Sequence, residues 1–90
     1  AEERCEMAAR SGKHVERVQT GVRIEKRILK VLKSLAYHKE ISLSDLLEGM
    51  ILHSLENRPA FNEETLQFIR TMREVYHLDL NADDAHTMEE

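Results

Sequence analysis

The residues with the clearest chemistry in this 90-residue chain alternate between positions 17 and 24. The polar positions are Arg17, Gln19, Gly21 and Arg23, and the residues between them are β-branched, which is typical of a strand with one apolar face. In the major groove, arginine can donate two hydrogen bonds to guanine and glutamine can pair with adenine. A glycine lets the backbone come close to another surface. We therefore expect this polar face to contact DNA bases.

A single strand leaves backbone N–H and C=O groups unpaired along both edges. The sequence predicts no second strand, so the simplest partner is the same strand of another copy. This predicts a homodimer with an intermolecular two-stranded antiparallel ribbon, an element that fits the major groove of double-stranded DNA.

Helical spacing follows the strand, and the predicted fold class is mainly α. Residues 25–39 and 42–56 are predicted helices, and Pro59 separates them from a C-terminal helix within 60–78. Ser42 and Asn62 have the positions of N-caps. We expect Leu46, Met50 and Ile51 to lie in the core or the dimer interface. The remaining segments are interpreted as a flexible N-terminal arm, 1–14, and an acidic tail, 79–90.

Charge is distributed unevenly along the chain. The net charge is −4, yet residues 13–33 carry a net charge of +5 and residues 56–90 a net charge of −6. The N-terminus of the second helix offers free N–H groups and a positive dipole end, which favour phosphate. The expected phosphate contacts are Ser42, Ser44, Lys26 and Lys30.

Other classes of site have weaker signals. One cysteine, Cys5, cannot form an internal disulfide, and a reducing cytoplasmic setting is expected. No catalytic constellation, cofactor motif or membrane span is predicted, so we do not expect an enzyme. Metal binding is a disfavoured alternative for five residues at and just before the C-terminal tail, whose side chains could supply nitrogen and oxygen ligands: His77, Asp79, Asp83, Asp84 and His86.

Residues 15–56, and above all VRI before an amphipathic helix and ISLSDLL at the start of the next, resemble the ribbon-helix-helix DNA-binding domain of the Arc and methionine repressors and many antitoxins. The resemblance covers about half the chain. It implies that the outward strand face reads bases and that Ser42 and Ser44 contact phosphate. Family members often have glycine in the inter-helix turn, where this chain has Lys39-Glu40, and a polar side chain in place of Gly21.

The sequence therefore predicts a dimeric transcriptional repressor or autoregulator that binds specific double-stranded DNA. The alternative is a protein–protein interaction module, such as an antitoxin-like protein whose C-terminal helix, 60–78, binds a partner protein. No membrane partner is expected.

Overall fold

The computed structural model describes residues 13–89, so the predicted arm at 1–14 lies largely outside the described residues. Three helices follow one another within this range: α1 (Lys26–Lys39), α2 (Leu43–Leu55) and α3 (Glu63–Val75). A short 3-10 helix spans Ala82–Asp84, and no strand occurs between residues 13 and 89. The mainly α class is confirmed, and α1 and α2 match the predicted helices to within one residue at each end.

The predicted N-caps of α2 and α3 are confirmed. The Ser42 hydroxyl oxygen accepts a hydrogen bond from the backbone N–H of Asp45 at 3.0 Å. The Asn62 side-chain oxygen accepts one from the N–H of Thr65 at 2.9 Å. Each bond satisfies an N–H group that has no acceptor within its own helix, which fixes where the helix begins.

All three helices end in the same way, with a left-handed residue that is not glycine. These residues are Glu40, Asn57 and His77, with φ angles of 59°, 56° and 57°. After each of them, the next N–H bonds to the carbonyl five residues earlier, as in a Schellman motif. The pairs are Ile41 to Ala36 (3.0 Å), Arg58 to His53 (2.8 Å) and Leu78 to Arg73 (2.8 Å).

The core lies on α1, which contacts both α2 and α3. Leu35 is 1% exposed and forms a buried cluster with Ala36 of the same helix and Leu46 of α2. Half-buried apolar side chains from the helices and their connections pack around this cluster: Leu32, Ile41, Leu43, Met50, Phe61, Phe68 and Ile69. None of the described helices is both long and apolar enough to cross a membrane.

The segment before α1, residues 13–25, has no regular secondary structure in the single chain. Residues 18–22 are exposed and form no hydrogen bond with the part of the chain that the structure describes. A Cβ atom added at Gly21 would meet nothing within 4 Å. The strand at 15–24 is therefore not formed here, and the ribbon, which needs a second copy, stays a prediction.

Glycine at position 40 should stabilise the turn between α1 and α2. A left-handed residue with a Cβ atom is strained, whereas glycine adopts this conformation freely. We expect Glu40→Gly to be more stable than Glu40→Ala by about 1 kcal/mol, although glycine also raises the entropy of the unfolded chain.

Urea unfolding at one fixed protein concentration measures this difference, with the alanine variant as the control for loss of the carboxylate. An alanine variant as stable as the glycine variant would show that the left-handed conformation at residue 40 carries no strain.

Candidate nucleic-acid interface

Arg17, the first candidate base contact, is held by α2 in the single chain. Its Nε and Nη2 atoms each donate a hydrogen bond of 2.8 Å to the two carboxylate oxygens of Glu48. This forked geometry is the strongest form of an arginine–carboxylate pair. The hydrogen bond and charge of Arg17 lower the pKa of Glu48, and the same contact raises the pKa of Arg17. Both side chains are exposed, so solvent can compete for the pair.

The other three candidate base contacts lie further along the pre-helix segment. Gln19 and Gly21 are exposed and bond to no described residue. Arg23 is also exposed and lies beside the start of α1. It lines a surface depression together with Lys26 and, from the acidic tail, Glu89. A negative group from the tail therefore lies at the end of the segment where DNA contact is predicted.

The start of α1 is capped by a glutamate that the sequence analysis did not single out. The Glu25 carboxylate accepts hydrogen bonds from the N–H groups of Arg27 (2.8 Å) and Ile28 (3.0 Å). Partial burial acts to raise the pKa of Glu25. The bonds from Ile28 and from the backbone and guanidinium of Arg27 outweigh that effect, so the pKa is lowered. The Glu25 carboxylate therefore stays ionised at neutral pH, and its negative charge interacts favourably with the positive end of the helix dipole.

Arg27 joins the basic half of the chain to the acidic half. Besides Glu25, its guanidinium bonds to the carbonyl of His77 and the carboxylate of Asp79, each at 3.0 Å. Leu78, between these two residues, is buried. The chain after α3 is thereby fixed against the start of α1.

Two candidate phosphate contacts, Ser42 and Ser44, are exposed at the N-terminus of α2. The backbone N–H groups at the first helical positions have no acceptor within the helix, so they can bind an anion. Asp45 and Glu48 lie in the same part of α2 and lower the local positive potential. Arg17 lies close enough to both carboxylates for their charges to raise its pKa.

The lysine candidates Lys26 and Lys30 lie on the exposed side of α1. With Lys33 and Tyr37 they occupy positions i, i+4, i+7 and i+11, which fall on one face of a helix. We call these four residues the basic stripe. The Lys30 ammonium lies 5.8 Å from the centroid of the Tyr76 ring, so this lysine is turned towards α3.

The candidate residues form two separate groups in a single copy. Arg17, Ser42 and Ser44 lie near the start of α2, whereas Arg23 and Lys26 lie at the start of α1. The 14 residues of α1 separate these ends by about 20 Å. A surface that used all the candidates at once would need both ends of α1.

The side chains of two of the five residues considered for metal binding have other partners. Between residues 13 and 89, no three His, Cys, Asp or Glu side chains come together in a way that could hold a metal ion. Asp79 pairs with Arg27, and the Asp84 carboxylate accepts the N–H of Asn81 at 2.9 Å. Cys5 lies outside the described residues.

Comparison with known proteins gives no matching family model and no significant match among curated proteins or solved structures.

Sequence reasoning missed the partners of Arg17 and Arg27. The Arg17–Glu48 and Arg27–Asp79 contacts span 31 and 52 residues, and no local spacing signals a contact at such a distance. Glu25 was missed for another reason, because N-caps are usually Ser, Thr, Asp or Asn and seldom Glu.

The Arg17–Glu48 pair predicts a specific titration. Its contribution to stability is present at neutral pH and is lost as the pH falls through the lowered pKa of Glu48. We expect Arg17→Ala to raise the Glu48 pKa towards the ordinary glutamate value, measured by 13C NMR of the side-chain carboxyl carbon. Arg58→Ala, which removes an exposed arginine paired with Glu56, is the control. If Glu48 titrates identically in both variants, the pair does not form in solution.

Proposed function

We propose that this chain is a homodimeric protein that binds specific double-stranded DNA and acts as a transcriptional repressor or autoregulator. Residues 15–24 of two copies pair as an antiparallel ribbon, and the polar face of the ribbon enters the major groove. The observation that carries the proposal is the apolar surface that a single copy leaves exposed on the pre-helix segment and on α2.

The pre-helix segment has the features of a strand without its partner. Val18 and Val22 are exposed, Val18 at 78%, although valine favours buried sites in sheets. The backbone groups between them bond to no described residue. Pairing with a second copy would satisfy these groups and cover the valines against the helices. Arg17, Gln19 and Arg23 would then lie on the opposite, outward face.

The second half of α2 exposes a similar surface. Ile51, Leu52 and Leu55 are all more than half exposed, and Leu55 reaches 77%. Burial of an isoleucine or leucine side chain contributes about 1.5–3 kcal/mol relative to exposure. Packing of α2 against α2 of a second copy would supply this burial in both subunits, and it would bring the two pre-helix segments to one side of the dimer.

The packing of α3 supports DNA binding ahead of the partner-protein alternative. Phe61, Phe68 and Ile69 pack against the core of their own chain. On α3 itself, Leu66 and Val75 are the exposed large apolar residues. The apolar side of α3 is thus largely used within the chain, whereas the second half of α2 leaves Ile51, Leu52 and Leu55 exposed.

A charge placed on α2 should separate the two subunits. We expect the unaltered chain to be a dimer at micromolar concentration and Ile51→Lys to be a monomer, because a buried lysine without a partner disfavours the interface. Sedimentation equilibrium measures the mass.

Val75→Lys is the matched control, because Val75 on α3 is 55% exposed and Ile51 is 54% exposed. It should remain a dimer. A monomeric unaltered chain, or dissociation by Val75→Lys alone, would contradict an interface on α2.

Loss of one base contact should weaken specific binding only. After sites are selected from random duplex DNA, the selected site should bind at least about 10³-fold more tightly than unrelated DNA. Affinity should fall with salt, with a log–log slope of about 0.9 per phosphate contacted. We expect Arg23→Ala to weaken binding to the selected site by about 1–3 kcal/mol and to relax the sequence preference at the base pair that Arg23 contacts.

Arg58→Ala is again the control, since it also removes one exposed arginine but lies after α2. Fluorescence anisotropy on selected and unrelated duplexes compares the two variants. Selection without enrichment of any sequence would contradict specific recognition. An equal loss on both duplexes would make Arg23 a phosphate contact and not a base contact.

A further inference from the structure

An open groove lies between α1 and α3. Of the residues that line it, Lys30 is the one that the DNA-binding proposal also uses. Its volume is about 1150 Å³, somewhat above the roughly 300–1,000 Å³ typical of small-molecule sites, because the groove is open to solvent. Its lining includes two lysines and four residues with aromatic or imidazole rings: Lys30, Lys33, Tyr37, His38, Phe68 and Tyr76. Four rings and two ammonium groups therefore surround one space.

The walls of the groove are ordered by contacts within the chain. The His38 and Phe68 rings stack with centroids 4.1 Å apart and an angle of 11° between their planes. The Ser34 hydroxyl donates a hydrogen bond of 3.2 Å to the Tyr76 hydroxyl oxygen, which holds that ring across the groove. A ligand would meet the His38, Phe68 and Tyr76 rings already positioned, so its binding would require little ordering of that part of the groove.

The charges favour an anion at one end of the groove. Lys30 and Lys33 are neighbours on the helix surface, because residues three apart lie on the same side of a helix. Neither lysine forms an ion pair with a carboxylate within residues 13–89. Among the residues that the structure describes, Glu40 is the one carboxylate that lines the groove, and it follows the C-terminal end of α1. Two lysines on the same side of a helix suit a phosphate, which carries a charge near −2 at neutral pH.

The tyrosines supply the second part of a recognition site. Tyr37 is 87% exposed, four residues from Lys33 on the basic stripe, and leaves a ring face open to solvent. Tyr76 presents its ring on the other wall, 5.8 Å from the Lys30 ammonium. Aromatic side chains stack on flat rings such as nucleobases.

We propose that the groove between α1 and α3 binds a small aromatic phosphate of the nucleoside monophosphate class. The phosphate lies between Lys30 and Lys33, and the flat ring stacks on Tyr37. This site is separate from the ribbon, and the proposal does not depend on DNA binding. It would give the protein a small-molecule ligand whose phosphate uses two lysines of the basic stripe, one of which, Lys30, is also an expected contact of duplex DNA.

The test is an NMR titration of the DNA-free chain with adenosine 5′-monophosphate, adenosine and inorganic phosphate as separate probes. The monophosphate should saturate with a Kd of about 0.1–1 mM and bind at least about tenfold more tightly than either fragment. The backbone shifts should map to α1 between Lys30 and His38 and to α3 near Phe68 and Tyr76.

Two pairs of variants identify the contacts. Lys33→Ala should weaken monophosphate binding about tenfold, whereas Lys39→Ala, on the same helix but outside the groove, should leave it unchanged. Tyr37→Ala should weaken binding of both the monophosphate and adenosine, and Tyr37→Phe should retain it. Circular dichroism confirms that each variant keeps its helices.

Binding that does not saturate, shifts that map to another surface, or equal effects of Lys33→Ala and Lys39→Ala would overturn the proposal. Failure here would leave the DNA experiments unaffected, because those measurements contain no free nucleotide. Failure of DNA binding would likewise leave the titration unaffected, because it contains no DNA.

Discussion

The burial of Leu35 is the constraint on which the rest of the structure depends. This side chain, 1% exposed, lies in the middle of α1, where helices α2 and α3 both contact it or its neighbours. Leu46 must therefore come from a helix that starts immediately after α1, and Phe68 from one that returns across it. Truncation of such a buried leucine to alanine commonly costs 2–5 kcal/mol. Because the core is this small, the chain can lose little further free energy of unfolding at other positions and still stay folded.

The three left-handed turns give the backbone the geometry that brings the helices around Leu35. Glu40, Asn57 and His77 each reverse the chain within one or two residues, so that each helix ends and the next element starts close to the core. A left-handed residue with a Cβ atom is unfavourable, and only Asn57 is of a type that tolerates it well. The buried or half-buried residues that follow two of these turns, Ile41 and Leu78, offset the strain by packing against the helices.

The sequence predicted the helical elements well because their signals are local. Ser42, Asn62 and Pro59 act through bonds or steric contacts within a few residues, and the spacing of Leu35 and Leu46 follows the helix period. The left-handed glutamate and the glutamate N-cap were unpredictable for a different reason, since neither residue type prefers its position. The contacts of Arg17 and Arg27 depend on how the helices pack, and a sequence pattern carries no direct information about this.

The net charge of −4 does not describe the charge of any one surface, because basic and acidic residues are concentrated in different parts of the chain. Charges act over about 8–10 Å at physiological salt, so a surface responds to its neighbours and not to the whole molecule. At the start of α1, Glu25 and Asp79 bond to Arg27, and Glu89 lines the same depression as Lys26. The basic stripe is therefore most neutralised at its N-terminal end and least neutralised near Lys33. An anion that approached α1 would compete with the chain's own acidic tail at the N-terminal end, whereas Glu40 is the carboxylate that lines the groove at the other end.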